Sequence, residues 1–219
     1  MYLSWNEQTV IDFSDTNITS LYDKGYVFTR KGLGIMNQTR SVRIDLSKFN
    51  LSSENKRILK KTVDIIFEST TLPYSEYTFV IGKLAKDFYA TKFGPGTMSA
   101  QKIKEIFTDQ SQSNFNLLLK YTVSKSEDRG FAVCYKNSQI MHYSYPFYDL
   151  EKSPKEMGMG MMVRAVQYAK DAGLQYIYLG SLQRPSDTYK FQFEGMEWFD
   201  GKEWSADMEK VKEILKSPL

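Results

Sequence analysis

The second half of the chain switches hydrophobic period twice. Residues 142–148 (HYSYPFY) read as a strand. Residues 160–172 then place Met161, Met162, Ala165, Val166 and Ala169 on one helical face, and residues 174–179 (LQYIYL) return to a strand. Gly158 and Gly160 lie in the loop expected between the first strand and the helix, and Gly173 suits the helix C-terminal turn. Upstream, residues 116–123 and 130–135 read as strands. The turn Lys136-Asn137-Ser138 joins the second of these to residues 139–148 as an antiparallel hairpin. Downstream, 189–193 and 197–199 read as short strands with Asp200-Gly201 as a turn, and Ser205 as the cap of a last helix to Lys216.

The first half is more helical. Residues 2–28 mix short apolar stretches with turn residues and read as loops and short elements. A strand is expected at 41–46. A helix capped by Ser52 or Ser53 is expected to run to about Glu68, with Ile58, Leu59, Ile65 and Ile66 at helical spacing. A second helix is expected over 74–91, ending before the breaker Phe93-Gly94-Pro95-Gly96, and a third from Ser99 to Phe107. The pattern divides softly near residues 109–114, into an N-terminal strand and helix part (1–110) and a C-terminal part (111–219) packed as one unit.

The chain has 219 residues, 42% hydrophobic and 25% charged, with a net charge of +3. That is the composition of a globular protein with a sizeable core. No run approaches the roughly 18 apolar residues of a membrane span, and no basic stretch leads into an apolar one at the N-terminus, so no signal peptide is expected. One cysteine, Cys134, and one histidine, His142, leave few soft ligands, and no metal site is expected. The lone cysteine fits a reducing compartment, and the cytoplasm is the expected location. Charge is more informative locally. Lys56, Arg57, Lys60 and Lys61 share one face of a helix, which serves either as a phosphate-binding face or as a solvated one.

Strand, glycine turn, helix and strand in that order suggest an acyltransferase of the GNAT kind: an α+β fold whose mixed, mostly antiparallel sheet is flanked by helices. Residues 155–160 (KEMGMG) match Q/R-x-x-G-x-G/A, with Lys155 in the first position. Met157, Gly158, Met159 and Gly160 would present main-chain amides to phosphates or to a developing oxyanion, and a purely structural turn is the alternative. Asp149 ends the strand before this loop. A carboxylate there handles an attacking amine or caps the next segment. Tyr145 and Phe147 share one side of their strand and either stack on a terminal adenine or pack in the core. His142 and Cys134 read as packed residues rather than catalysts. Arg43, inside a strand, needs an acid or a phosphate, and Arg184 lies in a loop that reaches the same anion.

Four stretches extend the picture to the whole chain: GYVFTRKG with TRSVRIDLSKF and SSENKRILKK; KFGPGTMSAQKIKEIF; HYSYPFYDL; and AKDAGLQYIYLGS with DTYKFQFEGMEW. In order and spacing, over roughly 190 residues, they resemble the arginyl-tRNA–protein transferases and their leucyl-transferring bacterial relatives. The resemblance implies a GNAT-like half. It also implies transfer of an amino acid, arginine or possibly leucine, from aminoacyl-tRNA to the N-terminal amine of a protein that begins with an acidic residue. No cofactor beyond the aminoacyl-tRNA donor is expected. Tyr189 and Lys190 match the family's Y-K pair, Arg43 its V-R-I arginine, and Tyr178 a tyrosine of its Y-x-Y-L-G strand. Lys190 is then a ligand for a phosphate or an acidic acceptor, with an ordinary surface lysine as the alternative, and Lys56, Arg57, Lys60 and Lys61 hold the tRNA acceptor stem. The chain departs from the family in having GIMNQTRSV where members carry a cysteine cluster, and in Leu150 and Gly195 where they carry proline. An acyl-CoA-dependent N-acyltransferase, with acetyl-CoA as donor, and a non-catalytic tRNA- or degron-binding relative are the alternative readings.

Overall fold

The architecture, taken from a computed structural model, is described for residues 3–124 and 127–216, with the side chains of 124–128 outside the description. Among the described residues eleven strands form two sheets. The small one is antiparallel, in the order β1 (Asn6–Thr9), β3 (Ile35–Gln38), β2 (Tyr26–Phe28). The large one has eight strands in the order β11 (Trp204–Ser205), β10 (Met196–Phe199), β4 (Ser41–Asp45), β9 (Tyr176–Ser181), β8 (Ile140–Tyr148), β7 (Glu127–Lys136), β6 (Leu117–Ser124), β5 (Ile66–Thr71). Every neighbouring pair in it is antiparallel except β8 and β9. The helix α5 (Met157–Asp171) crosses between those two, as a parallel connection requires. The expected mixed, mostly antiparallel sheet flanked by helices is present.

Two apolar layers cover the sheet. On one face α5 and α2 (Ser53–Lys61) bury Met157, Met161, Val166 and Ile58 against Met141, Tyr143, Ile177 and Leu179. On the other, α1 (Asp15–Asp23), α3 (Phe79–Phe93) and α4 (Ala100–Thr108) bury Tyr22, Tyr89, Ile103 and Phe107 against Phe131, Phe147 and Tyr178. A smaller cluster packs α6 (Met208–Lys216) on Val42, Leu182 and Trp198.

A bulge in β8 decides which side chains point where. Cys134 pairs with Tyr143 but Val133 with Tyr145, so Ser144 is the extra residue. Met141 and Tyr143 therefore face α5, while Tyr145 and Phe147 face α3 and α4. Among the described residues no helix is long and apolar enough to cross a membrane.

Several expected elements differ. The helix starting at Ser53 stops at Lys61, and Ile66–Thr71 is a strand. That segment carries two isoleucines, a phenylalanine and two threonines between 65 and 71, whose branched or aromatic side chains suit a pleated edge. The expected strand at 189–193 is a 3-10 helix, Pro185–Gln192. Pro185 begins it, and the Asp187 carboxylate accepts the amides of Gln183 and Arg184. Residues 15–23, read as loop, form α1, capped by Ser14.

Candidate active site

The parallel pairing of β8 and β9 lasts only three residues: Ile140 with Tyr176, Met141 with Ile177, His142 with Tyr178. Beyond that point β8 continues along β7 to Tyr148, and β9 continues along β4 to Ser181. The two strands part, and their facing main-chain edges are left open to one another. A crevice at the carboxyl ends of parallel strands, with a helix N-terminus at its mouth, is the usual ligand position in sheets with such crossovers.

The start of α5 is one wall. Unlike α1, α2 and α4, it has no side-chain cap. Met157 N donates to Pro154 O (2.9 Å) and Gly160 N to Glu156 O (2.8 Å). The amides of Gly158 and Met159 have no acceptor among the described residues, which leaves two donors at the positive end of the helix. Both glycines also serve packing. A Cβ on Gly160 would lie 2.7 Å from Thr62 Oγ1 at the end of α2, and one on Gly158 would lie 3.2 Å from the Tyr148 ring. The expected glycine loop is thus the helix's first turn, which begins at Met157 rather than Gly160, and Met157 itself is fully buried.

The opposite wall carries a buried cation. Lys190 is 6% exposed, and its Nζ donates to Ser181 O at 2.8 Å. It stands 4.0 Å from where a Cβ would sit on Gly180, whose φ of 77° suits glycine. Burial lowers its pKa to about 8. Beside it His142 is buried, with Nδ1 2.9 Å from the Tyr22 hydroxyl. Burial, with a smaller contribution from the Lys190 charge, lowers the imidazole pKa to about 3, so the ring is neutral at pH 7.

Aromatic groups line the mouth. Tyr89 of α3 donates to Pro146 O (3.1 Å) and lies 5.6 Å from Phe93. Phe88 lies 4.9 Å from Tyr148, and the Arg184 guanidinium sits 5.0 Å over Phe93. Phe93 is 45% and Tyr189 46% exposed, so both offer ring surface to a ligand. Gln192 ties the walls together: its amide reaches Tyr189 O (2.8 Å) and Met159 Sδ (3.7 Å), while its Oε1 accepts from Asn55 of α2 (3.3 Å).

The basic face of α2 lies alongside. Glu156, the residue preceding α5, is 3.5 Å from Arg57 and 3.9 Å from Lys61, and Arg57 also pairs with Glu54. Lys56 and Lys60 are exposed, with no ion pair among the described residues.

The crevice thus gathers Gly158, Met159, Arg184, Tyr189 and Lys190, with the α2 cations next to it. Other candidates lie elsewhere. Asp149 caps the turn after β8: its Oδ1 accepts the amides of Glu151 and Lys152, both at 3.0 Å, and Oδ2 is 3.8 Å from Arg129. Arg43 is held by Glu197 (2.8 Å) and Asp23 (2.9 Å), between the rings of Tyr176 (3.9 Å) and Trp204 (4.1 Å). Its acids come from within the protein. Tyr178 is buried beside it, 3.5 Å from Asp23. Phe147 is fully buried, and Tyr145 is half-buried with its ring edge-on to Phe115 (5.3 Å) and Arg30 above it (5.8 Å). Neither Phe147 nor Tyr178 has the surface to contact a substrate. Phe93, Tyr89, Gly180 and Gln192 went unrecognised in the sequence. An apolar side chain just before a Gly-Pro-Gly breaker was the available signal for Phe93. Two shallow depressions of 310 and 380 Å³ lie near the other end of α5, bordered by Tyr168 and Lys170, away from the crevice.

No family profile matches the chain. It is similar to the aspartate/glutamate leucyltransferase of Dinoroseobacter shibae, 26% identical over 211 residues, which is 88% of this chain and 73% of that one. The aspartate/glutamate leucyltransferase of Hyphomonas neptunium is 21% identical over 174 residues, 77% of this chain and 68% of the relative. Among solved structures, the GCN5-related glucosamine N-acetyltransferase region of a fungal multi-domain β-N-acetylglucosaminidase superposes with a TM-score of 0.50 at 10% identity, covering 87% of this chain and 22% of that one. The fold is GNAT-like, and the relatives named are transferases.

Proposed function

We propose that this protein transfers an amino acid from aminoacyl-tRNA to the N-terminal amine of an acceptor protein that begins with an acidic residue. The reading rests on one arrangement above all: an open crevice between β8 and β9, with free α5 amides on one wall, a buried ammonium on the other, and the cationic face of α2 beside it. The similarity to leucyltransferases over 88% of the chain supports it. Those relatives favour leucine as the donated residue, and arginine is the second donor to test. A tRNA donor implies a cytoplasmic protein that needs no further cofactor.

The chemistry asks little of side chains. The acceptor amine, with an ordinary pKa of about 7.7–8.0, is partly neutral at physiological pH. Its nitrogen attacks the ester carbonyl. The C–N bond forms, the ester C–O bond breaks, and the tRNA hydroxyl leaves with a proton while the amine gives one up. A reactive ester needs mainly positioning and oxyanion stabilisation. The amides of Gly158 and Met159 would supply the oxyanion donors, and Lys56 and Lys60 would hold acceptor-stem phosphates. Asp149, engaged with its turn amides, has no part in this scheme.

The test charges total tRNA with labelled amino acids and offers peptides beginning with Asp, Glu, Arg, Lys or Ala. Label is expected to enter the Asp and Glu peptides, with leucine or arginine as the donated residue. Acetylation of peptide in a parallel tube with acetyl-CoA, without transfer from tRNA, would replace this reading with an acyl-CoA enzyme. Silence in both tubes would leave a binding protein.

A further inference from the structure

We infer that Lys190 reads the first residue of the acceptor: its ammonium, held in the gap between the parted strands, takes the side-chain carboxylate of an N-terminal aspartate or glutamate. This rests on the aminoacyl-transfer reading above and names the residue that would set its acceptor specificity.

The first support is an imbalance of charge. A buried ammonium is costly unless paired, and Lys190 is buried with one neutral acceptor, the Ser181 carbonyl, and the Tyr189 ring 5.7 Å from its Nζ. Among the described residues no carboxylate stands within ion-pair distance of it. The acid nearest in sequence, Asp187, turns its Oδ2 to the amides of Gln183 (2.7 Å) and Arg184 (2.9 Å), and its charge acts on the ammonium only from beyond ion-pair distance, too weakly to offset burial. His142, the other ionisable group beside it, is neutral and bonded to Tyr22.

Arg43 shows how the same fold treats a cation with a structural role. That guanidinium is equally buried, yet two carboxylates and two aromatic faces surround it. Lys190 has an ammonium's three donors and one protein acceptor in hand. The remaining donors suit an anion that arrives with a substrate, and the depressed pKa fits a site that awaits one.

Position favours a carboxylate over a phosphate. Lys190 lies buried in the wall opposite α5, next to Gly180, where a Cβ would meet only its Nζ within 4 Å. The short side chain of a first residue, at the very end of an acceptor chain, can reach such a recessed ammonium. A phosphodiester carries bulky neighbours on both sides and fits exposed cations such as Lys56 and Lys60 better.

The test compares wild type with Lys190→Met and Lys190→Arg on peptides that differ only in Asp, Asn, Glu or Gln at the first position. A hydrogen-bonded charge contact is worth about 1.5–3 kcal/mol, or about 10- to 150-fold. Lys190→Met should lower kcat/KM for the Asp peptide by that factor and for the Asn peptide far less, so that the Asp/Asn ratio collapses. Lys190→Arg should keep a preference for Asp. A structural lysine would instead lower the melting temperature and both peptides together. Removing an unpaired buried charge should leave the melting temperature unchanged or raised. An unchanged Asp/Asn ratio in Lys190→Met overturns the inference. So does a rise in KM for aminoacyl-tRNA with equal loss on both peptides, which would assign Lys190 to a donor phosphate. Wild type alone gives a second reading. An Asp-starting dipeptide should compete with the acceptor where its Asn counterpart does not, and equal competition overturns the proposal. Transfer to no peptide at all would instead fail the aminoacyl-transfer reading itself.

Discussion

At the scale of single residues, burial has turned several ionisable groups away from their ordinary behaviour, His142 and Lys190 among them, and the consequence for pH can be worked out for His142. Its folded pKa is about 3 against an ordinary 6.5. Between those values the unfolded chain takes a proton that the folded chain refuses. The contribution to stability is therefore complete above pH 6.5 and is lost as pH falls toward 3, at a slope of about 1.4 kcal/mol per pH unit. Tyr22 and Lys190 are the polar groups that face the ring, and neither offers a carboxylate to stabilise imidazolium. His142→Gln keeps an acceptor for the Tyr22 hydroxyl but cannot titrate. Urea midpoints at pH 7, 5.5 and 4.5 should fall more steeply for wild type than for the variant. Parallel curves would mean that the ring finds a proton acceptor or that the site opens to water. Here the sequence had already favoured packing over catalysis for a lone strand histidine.

At the scale of elements, the legible parts were those whose pattern and burial agree. The hairpin β7–β8, the amphipathic α5 and the capped α4 follow from period and turn residues alone. The misread parts were set by interactions that the chain makes later. Y-K-F-Q-F alternates like a strand, yet Pro185 and Asp187 wind it into the 3-10 helix that brings Lys190 to the crevice. The bulge at Ser144 has no signature of its own, and it turns Tyr145 and Phe147 away from α5. The four cations of α2 were grouped correctly, but only three dimensions separate them into two kinds. Arg57 and Lys61 lean on Glu156, while Lys56 and Lys60 are exposed and carry no ion pair among the described residues. Removing one lysine that neutralises a phosphate should reduce the slope of log affinity against log salt by about one. Lys56→Ala with Lys60→Ala should therefore reduce the slope for tRNA by about two. Arg57→Ala with Lys61→Ala should change it less, because both already have acidic neighbours. The measurement is tRNA affinity across a salt series. Equal effects from the two pairs would show that the helix face acts as an undivided patch, and no effect from either would move the tRNA elsewhere.

At the scale of the whole molecule, the two halves suggested by the pattern of elements are interleaved in one sheet. β4, from the first half, lies between β10 and β9, and β5, also from the first half, pairs with β6 at the other edge. The helices α1, α3 and α4 cover the face on which Phe131, Phe147 and Tyr178 are buried. A fragment of residues 111–219 would keep the β8–α5–β9 unit that forms the crevice. It would also lack the strand joining β9 to β10 and expose an aromatic face. Large apolar faces and open strand edges lead to association rather than to a folded monomer. The fragment alone should therefore bind a hydrophobic dye, show poorly dispersed amide resonances and associate. Adding residues 1–110 in equimolar amount should restore dispersion, because β4 supplies pairing that no other segment offers. A monomeric fragment with a dispersed spectrum would mean that the crevice is carried by the C-terminal part alone. The first 110 residues would then be an attachment that brings α2 and its cations to a site already formed.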